Sequence, residues 1–239
     1  MARAAQSSRR PNQLLLTCEH AGNRIPREYA ELFRGASDVL ASHRGWDPGA
    51  MDVAKFLGRR FQLKVPAVFW SRLLVESNRS PTNPRIWSKY TSGLSVDERQ
   101  RILARYWQPH RDQVETCVRD VLRKGGRVVH IAVHSFTDQL DDEIRNADVG
   151  LLYDPARRGE REICRRWELL LRESAPWLRV RRNYPYRGSA DGLSTWLRRK
   201  FPDSQYVGIE LELRQGLLAS QECSKTKAAL AESLGRLFS

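Results

Sequence analysis

Three apolar runs in this chain end on, or carry, side chains able to do chemistry. Gln13 to Cys18 stops at Glu19 and His20, Val128 to Val133 leads into His134, and Tyr206 to Leu213 carries Glu210 and Glu212. A fourth run, Val149 to Tyr153, lies between the last two. Runs of this length and composition read as buried strands. The segments between them have helical spacing. Ala50, Val53, Ala54, Leu57 and Phe61 recur on one face behind Pro48, Ser95 and Glu98 form a capping box, and Glu160 to Glu173 is amphipathic. Further helices are expected at Leu193 to Lys200 and from about Ser220, and a short one behind Pro26. The stretch that starts at Ser95 is expected to bend or break near Pro109 and to resume to about Lys124, where Gly125 and Gly126 stop it. Val65 to Trp70 and Leu73 to Glu76 read as extended. Strand and helix therefore alternate, which predicts an α/β protein with three α/β/α layers around a mostly parallel, mixed sheet.

Composition narrows the function classes. A chain of 239 residues with 41% apolar content supports one substantial core, so residues 13–239 are expected to form a single domain behind a basic, disordered tail over residues 1–12. There is no run of about 18 apolar residues and no signal-peptide core, so a soluble, cytoplasmic protein without a membrane partner is expected. Cys18, Cys117, Cys164 and Cys223 show no CxxC or framework spacing and read as ordinary thiols. The formal charge of +13 concentrates anions, but the arginines are dispersed and no nucleic-acid-binding motif is present. An acidic small molecule is the expected partner, and nucleic acid is not. Neither a P-loop, a GxGxxG fingerprint nor a GxSxG elbow occurs.

Open α/β sheets collect their sites at the carboxyl ends of their strands, which singles out His20, His134 and Glu212, with Asp47 just ahead of a helix. Two imidazoles and a carboxylate can hold zinc and leave a position for water. Taken singly, each strand-end histidine reads first as a buried side chain satisfied by hydrogen bonds, and Asp47 by its spacing alone reads as a helix N-cap. His110 lies in a helical stretch, His130 inside a strand, and His43 ahead of the Asp47 helix, so none shares that placement. Strand alternation puts Glu210 and Glu212 on one face. Asn78 and Arg79 read equally as a surface turn and as a clamp on a carboxylate.

The fragments CEHAGNRIP, HRGWDPGAMDVA, SRLLVESNR, VHSFT, NYPYRGSADG and IELELRQGL occur in this order over roughly residues 14–218. Together they resemble the N-formylglutamate amidohydrolase family, which is similar to the wider zinc carboxypeptidase and aspartoacylase group. The resemblance implies a zinc-carboxypeptidase-like fold and a metal-dependent hydrolase that cleaves the amide of an N-acyl acidic amino acid, such as N-formylglutamate. It implies one zinc ion per chain on His20, Asp47 and His134, with Glu212, ahead of Glu210, as general base. Asn78 and Arg79 would bind the substrate carboxylate, with Arg72 and Arg145 adding positive charge. The wider group's HxxE motif reads HAGN here, with Asn23 at the carboxylate position, so the second ligand falls to Asp47 with Glu19 in reserve. Val133 and Glu76 also depart from that group's usual residues. Two other readings are a zinc carboxypeptidase or amidase acting on peptide or cell-wall fragments, and a non-catalytic anion-binding protein on the same scaffold.

Overall fold

A computed structural model describes residues 10–239, so the first nine positions of the expected tail lie outside the described residues. The chain runs through β1 (Asn12–Thr17), a 3-10 helix (Arg27–Phe33), α1 (Ser37–Ala41), α2 (Ala50–Arg60), α3 (Val96–Ile102), a π-helical turn (Leu103–Trp107) and α4 (Gln108–Arg123). It continues through β2 (Arg127–Phe136), a small hairpin of β3 (Gln139–Leu140) and β4 (Glu143–Ile144), β5 (Val149–Leu152), α5 (Arg158–Ser174) and β6 (Val180–Arg182). The last elements are α6 (Leu193–Lys200), β7 (Tyr206–Arg214), α7 (Gln215–Leu218) and α8 (Cys223–Phe238).

The five-stranded sheet has the order β1-β2-β7-β5-β6. Its pairs are parallel except β5 with β7, which is antiparallel, so the sheet is mixed and mostly parallel as the alternation predicts. The period of two along β2 and β7 divides the molecule into layers. Val129, Ile131 and Val133, with Val207, Ile209, Leu211 and Leu213, pack against α2, α5 and α8. Leu15, Val128 and Tyr206 face α4 and α6 through Val114, Val118, Leu193 and Leu197. His130, His134, Glu210 and Glu212 alternate with the first set and so belong to this second face.

The capping box forms, with the Glu98 backbone N–H donating to Ser95 Oγ at 3.2 Å. Pro109 sits in the first turn of α4 and cannot donate a backbone hydrogen bond, and the helix widens into the π-helical turn immediately before it.

Of the two segments expected to be extended, Val65 to Trp70 runs beside residues 18–24 through isolated bridges without forming a continuous strand, whereas Leu73 to Val75 is turn and bend. Isolated bridges, Cys18 to Ala67 and Arg24 to Trp70, and backbone hydrogen bonds such as Val68 N–H to the Cys18 carbonyl at 3.0 Å and Glu76 N–H to the Ile86 carbonyl at 2.9 Å tie this stretch to its neighbours. Leu74 and Val75 are apolar because they fill a second core with Tyr29, Phe33, Ile86, Ile102, Tyr106 and Trp107. That satellite core fixes the loop from Ser71 to Arg79 without sheet pairing. Among the described residues no helix is long and apolar enough to cross a membrane. All four cysteines are free, and burial raises the thiol pKa of Cys18 and Cys164 well above the ordinary range, as inert thiols require.

Candidate active site

β1, β2 and β7 run parallel, so their carboxyl ends share one edge of the sheet. His20 follows β1, His134 lies in the last turn of pleat of β2, and Glu212 stands opposite His134 in the β2–β7 register. Asp47 arrives from the loop ahead of α2, and its backbone N–H donates to the His20 carbonyl at 3.1 Å. It does not cap the helix. Gly49, at φ 81°, occupies the N-cap position, and the Asp47 carboxylate turns to the histidines instead.

Asp47 Oδ2 lies 3.2 Å from His20 Nδ1 and 2.9 Å from His134 Nδ1, and accepts the Ser135 backbone N–H at 3.3 Å. One ligand atom from each of His20, Asp47 and His134 falls within 4.8 Å of the others, and all three residues are buried. The remote ring nitrogens face carboxylates. His20 Nε2 hydrogen-bonds Glu76, and His134 Nε2 lies 3.0 Å from Glu19 Oε2, off the line of a hydrogen bond. Glu19, the reserve ligand, thus sits behind His134, and its other oxygen meets His110 Nε2 at 3.1 Å. Arg72 bridges Asp47 Oδ1 at 3.1 Å and Glu76 Oε2 at 2.7 Å. A carboxylate behind each imidazole fixes ring orientation and strengthens the opposite nitrogen as a donor to metal.

Burial opposes every charge in this cluster, yet the charges sustain one another. Burial and Arg72 work to lower the His20 pKa, and Glu76 and Asp47 outweigh them and raise it. His134 is raised well above its ordinary value because Asp47 and Glu19 outweigh burial. Against the same burial, His20, His134 and Arg72 hold Asp47 far below the usual carboxylate range, and Arg72 and His20 do so for Glu76. Without metal the carboxylates favour protons on the imidazoles. Two imidazole nitrogens and a carboxylate oxygen are borderline donors, and a divalent cation would replace those protons. The residues present fit such an ion.

Glu212 is buried beside this cluster, and its Oε2 has no hydrogen-bond partner among the described residues. Burial, aided by Asp47 and Glu210 and opposed by His134 and His20, pushes its pKa up to about 7. Gly150 pairs with Glu212 across β5 and β7. A Cβ at Gly150 would meet the Tyr184 carbonyl at 2.2 Å and Glu212 Cβ at 3.2 Å, so glycine lets the Tyr184 loop close over this strand.

The four polar residues expected to bind substrate occupy different settings. Arg145 is 5% exposed, its Nη1 has no partner, and no carboxylate among the described residues lies within ion-pair distance. Its guanidinium carbon lies 4.9 Å from the Tyr186 ring centre and 5.9 Å from that of Phe136. Arg72 is committed to Asp47 and Glu76. Asn78 Oδ1 accepts the Leu193 N–H at 2.7 Å, at the start of α6, and Arg79 Nη1 donates to the carbonyls of Asp191 and Asn78. Asn78 and Arg79 therefore serve the loop's own architecture as well as any ligand.

The remaining histidines separate cleanly. His43 stands at the surface, and the partial burial of its ring, with Arg44, Arg72 and Arg145, lowers its pKa. His130 is held between Thr17 Oγ1 and the Tyr206 hydroxyl, each at 2.7 Å, in the interior. His110, set aside in the sequence because it falls in a helix, reaches Glu19 behind the cluster. Neither Glu76 nor Tyr186 stands out by local pattern; the adjacency of Glu19 to His20 is the one signal that pointed toward the supporting carboxylates.

Fold and cluster together define an α/β protein with a three-donor centre, suited to a divalent metal, at the carboxyl edge of its sheet. Residues 12–219 match the N-formylglutamate amidohydrolase family, and the chain belongs to that family of amidohydrolases. It is similar to the crystal structure of gene product Atu2144 from Agrobacterium tumefaciens, at 28% identity and a TM-score of 0.79, over 95% of this chain and 92% of the other. It also shares its fold with the crystal structure of N-formylglutamate amidohydrolase from Ralstonia eutropha JMP134, at 19% identity and a TM-score of 0.71, over 98% and 94% of the two chains. No curated protein matches the chain.

Proposed function

We propose that this amidohydrolase is zinc-dependent and cleaves the amide bond of an N-acyl acidic amino acid, such as N-formylglutamate. The observation that carries the reading is the convergence of His20 Nδ1, His134 Nδ1 and Asp47 Oδ2 beside the unpartnered carboxyl of Glu212. In this reading His20, Asp47 and His134 hold one zinc ion per chain. When bound, zinc supplies Lewis acidity toward a carbonyl and lowers the pKa of water to about 7.

The chain's own residues supply the rest. Glu212 takes a proton from water at its free oxygen and delivers it to the departing nitrogen. Glu76 and Glu19 hold the rings of His20 and His134 in place. Arg145, a buried cation without a carboxylate partner, binds the substrate's carboxylate, and Arg72, Asn78 and Arg79 add positive charge and donors. An isolated buried charge is costly, and an anionic ligand relieves that cost.

The test is elemental analysis of protein purified without added metal, beside His134→Ala, followed by hydrolysis assays on N-acyl glutamates, N-acyl aspartates and peptides. About one zinc per chain that is lost in the variant, with turnover confined to acyl amino acids, is the expected result. A protein that neither carries nor takes up zinc defeats the proposal.

A further inference from the structure

Residues 76–79 belong to no helix or strand, yet Glu76 in this segment sets the orientation of His20. Part of the segment is held from the site side. Ser77 Oγ donates to the Glu19 carbonyl at 2.6 Å, and the Glu76 N–H donates to the Ile86 carbonyl at 2.9 Å. The other side is held by α4 and the turn before it. Arg111 Nη2 donates to the carbonyls of Ser77 at 3.3 Å and Arg79 at 3.0 Å, and Trp107 Nε1 donates to the Arg79 carbonyl at 2.9 Å.

Arg111 is an expensive residue at this place. It is fully buried, with its guanidinium carbon 4.2 Å from the Trp107 ring centre and 5.3 Å from that of Trp196. No carboxylate among the described residues lies within ion-pair distance, and its Nε and Nη1 have no partner. Burial lowers its pKa to about 10, so it remains a cation at neutral pH. An apolar side chain of similar volume would fill the space between two indoles at less cost. What it would not supply is a donor to two carbonyls of the segment that carries Glu76.

We propose that Arg111 is a positioning residue for the His20–Asp47–His134 centre: by holding the Ser77 and Arg79 carbonyls it keeps Glu76 on His20 Nε2 and on Arg72, so metal affinity depends on a side chain outside the ligand set. This rests on the metal reading above. The precedent in physical terms is that residues orienting a ligand commonly change metal affinity by about 10–100-fold when removed.

The experiment is a zinc competition titration against a chromogenic chelator, on the full chain and on Arg111→Met, Arg111→Lys and Trp107→Phe. Arg111→Met is expected to bind zinc about tenfold or more weakly, with millimolar guanidinium restoring affinity where sodium chloride does not. Arg111→Lys keeps the charge but loses the planar fork, and is expected to recover only part of the loss. Trp107→Phe keeps the stacked ring and loses one donor to the Arg79 carbonyl, so a smaller loss of the same sign is expected. It decides the matter if Arg111→Met fails to fold. Wild-type zinc affinity in the folded variants, with only stability reduced, overturns the inference and leaves Arg111 as a core residue. A wild-type protein that binds no zinc defeats the metal reading itself.

Discussion

His134 and Glu212 are direct partners in the parallel register of β2 and β7, so one strand pair carries both a candidate metal ligand and the candidate base. Their separation is thus set by backbone hydrogen bonding rather than by a loop. The arrangement predicts that Glu212→Gln keeps its metal and loses kcat by at least about a hundredfold, as removal of a general base does. Metal content and kcat measured on the same preparation check this; unchanged turnover would remove Glu212 from the mechanism.

The pH dependence follows from the same residue. Glu212 has a folded pKa of about 7, above the ordinary 4.5, so its basic form appears only as pH rises through that region. A dication beside it favours the carboxylate and moves the midpoint down. The expected result is a carboxylate titration near pH 7 in metal-free protein, followed by NMR of labelled glutamate, that shifts to lower pH on zinc addition. A Glu212 midpoint in the ordinary carboxylate range without metal counts against the buried, unpartnered geometry.

Arg145 and Arg79 should respond differently to removal. Arg145 has an unpartnered donor and no carboxylate among the described residues within ion-pair distance, whereas Arg79 already donates to two carbonyls. Arg145→Ala is expected to lower kcat/KM for an acidic substrate by about 10–100-fold, the worth of a charge-assisted hydrogen bond, and to affect a neutral amide analogue far less. Arg79→Ala should discriminate less between the two. Equal losses on both substrates for Arg145→Ala would assign that residue to structure alone.

Much of this architecture is legible in the sequence because β2 and β7 are apolar for most of their length, β1 carries the run Leu14 to Leu16, and polar side chains fall at or near the ends of all three. The same pattern placed His20, His134 and Glu212 on one edge. It failed where apolar residues served another purpose: Leu74 and Val75 are buried in a satellite core, not in a sheet. β6 has three residues, two of them exposed arginines, and offers no periodicity to read. The partnership of His20 with Glu76 spans 56 residues, and no local pattern encodes it. Asp47 looked like a cap because helix geometry rewards aspartate there, but Gly49 takes that position in a left-handed conformation and frees the carboxylate for the site.

Metal binding should also register as stability. An ion that binds the folded chain and not the unfolded one stabilises it by about 2.7 kcal/mol at a hundred times its Kd. Thermal melts of the protein with and without chelator should therefore differ, and Asp47→Ala and His134→Ala should melt alike in both conditions. A wild-type melting temperature indifferent to zinc and chelator would argue against a resident ion at His20, Asp47 and His134.

His130 supplies a stability prediction free of the metal. It is fully buried between Thr17 and Tyr206, and burial, the largest cause, lowers its pKa from 6.5 to about 4. The folded state therefore favours the neutral ring. Above pH 6.5 neither state is protonated and the group contributes no slope. Between pH 6.5 and 4 the unfolded chain takes up a proton that the folded chain refuses, so stability falls as pH falls, by up to about 3 kcal/mol, and the loss is complete below pH 4. Carboxylates and the other histidines add their own slopes, so the informative quantity is the difference between wild type and His130→Phe in urea unfolding at pH 7, 6, 5 and 4. The variant is expected to start less stable, having lost two hydrogen bonds, and to lose less on acidification; parallel pH profiles would show that His130 titrates alike in both states.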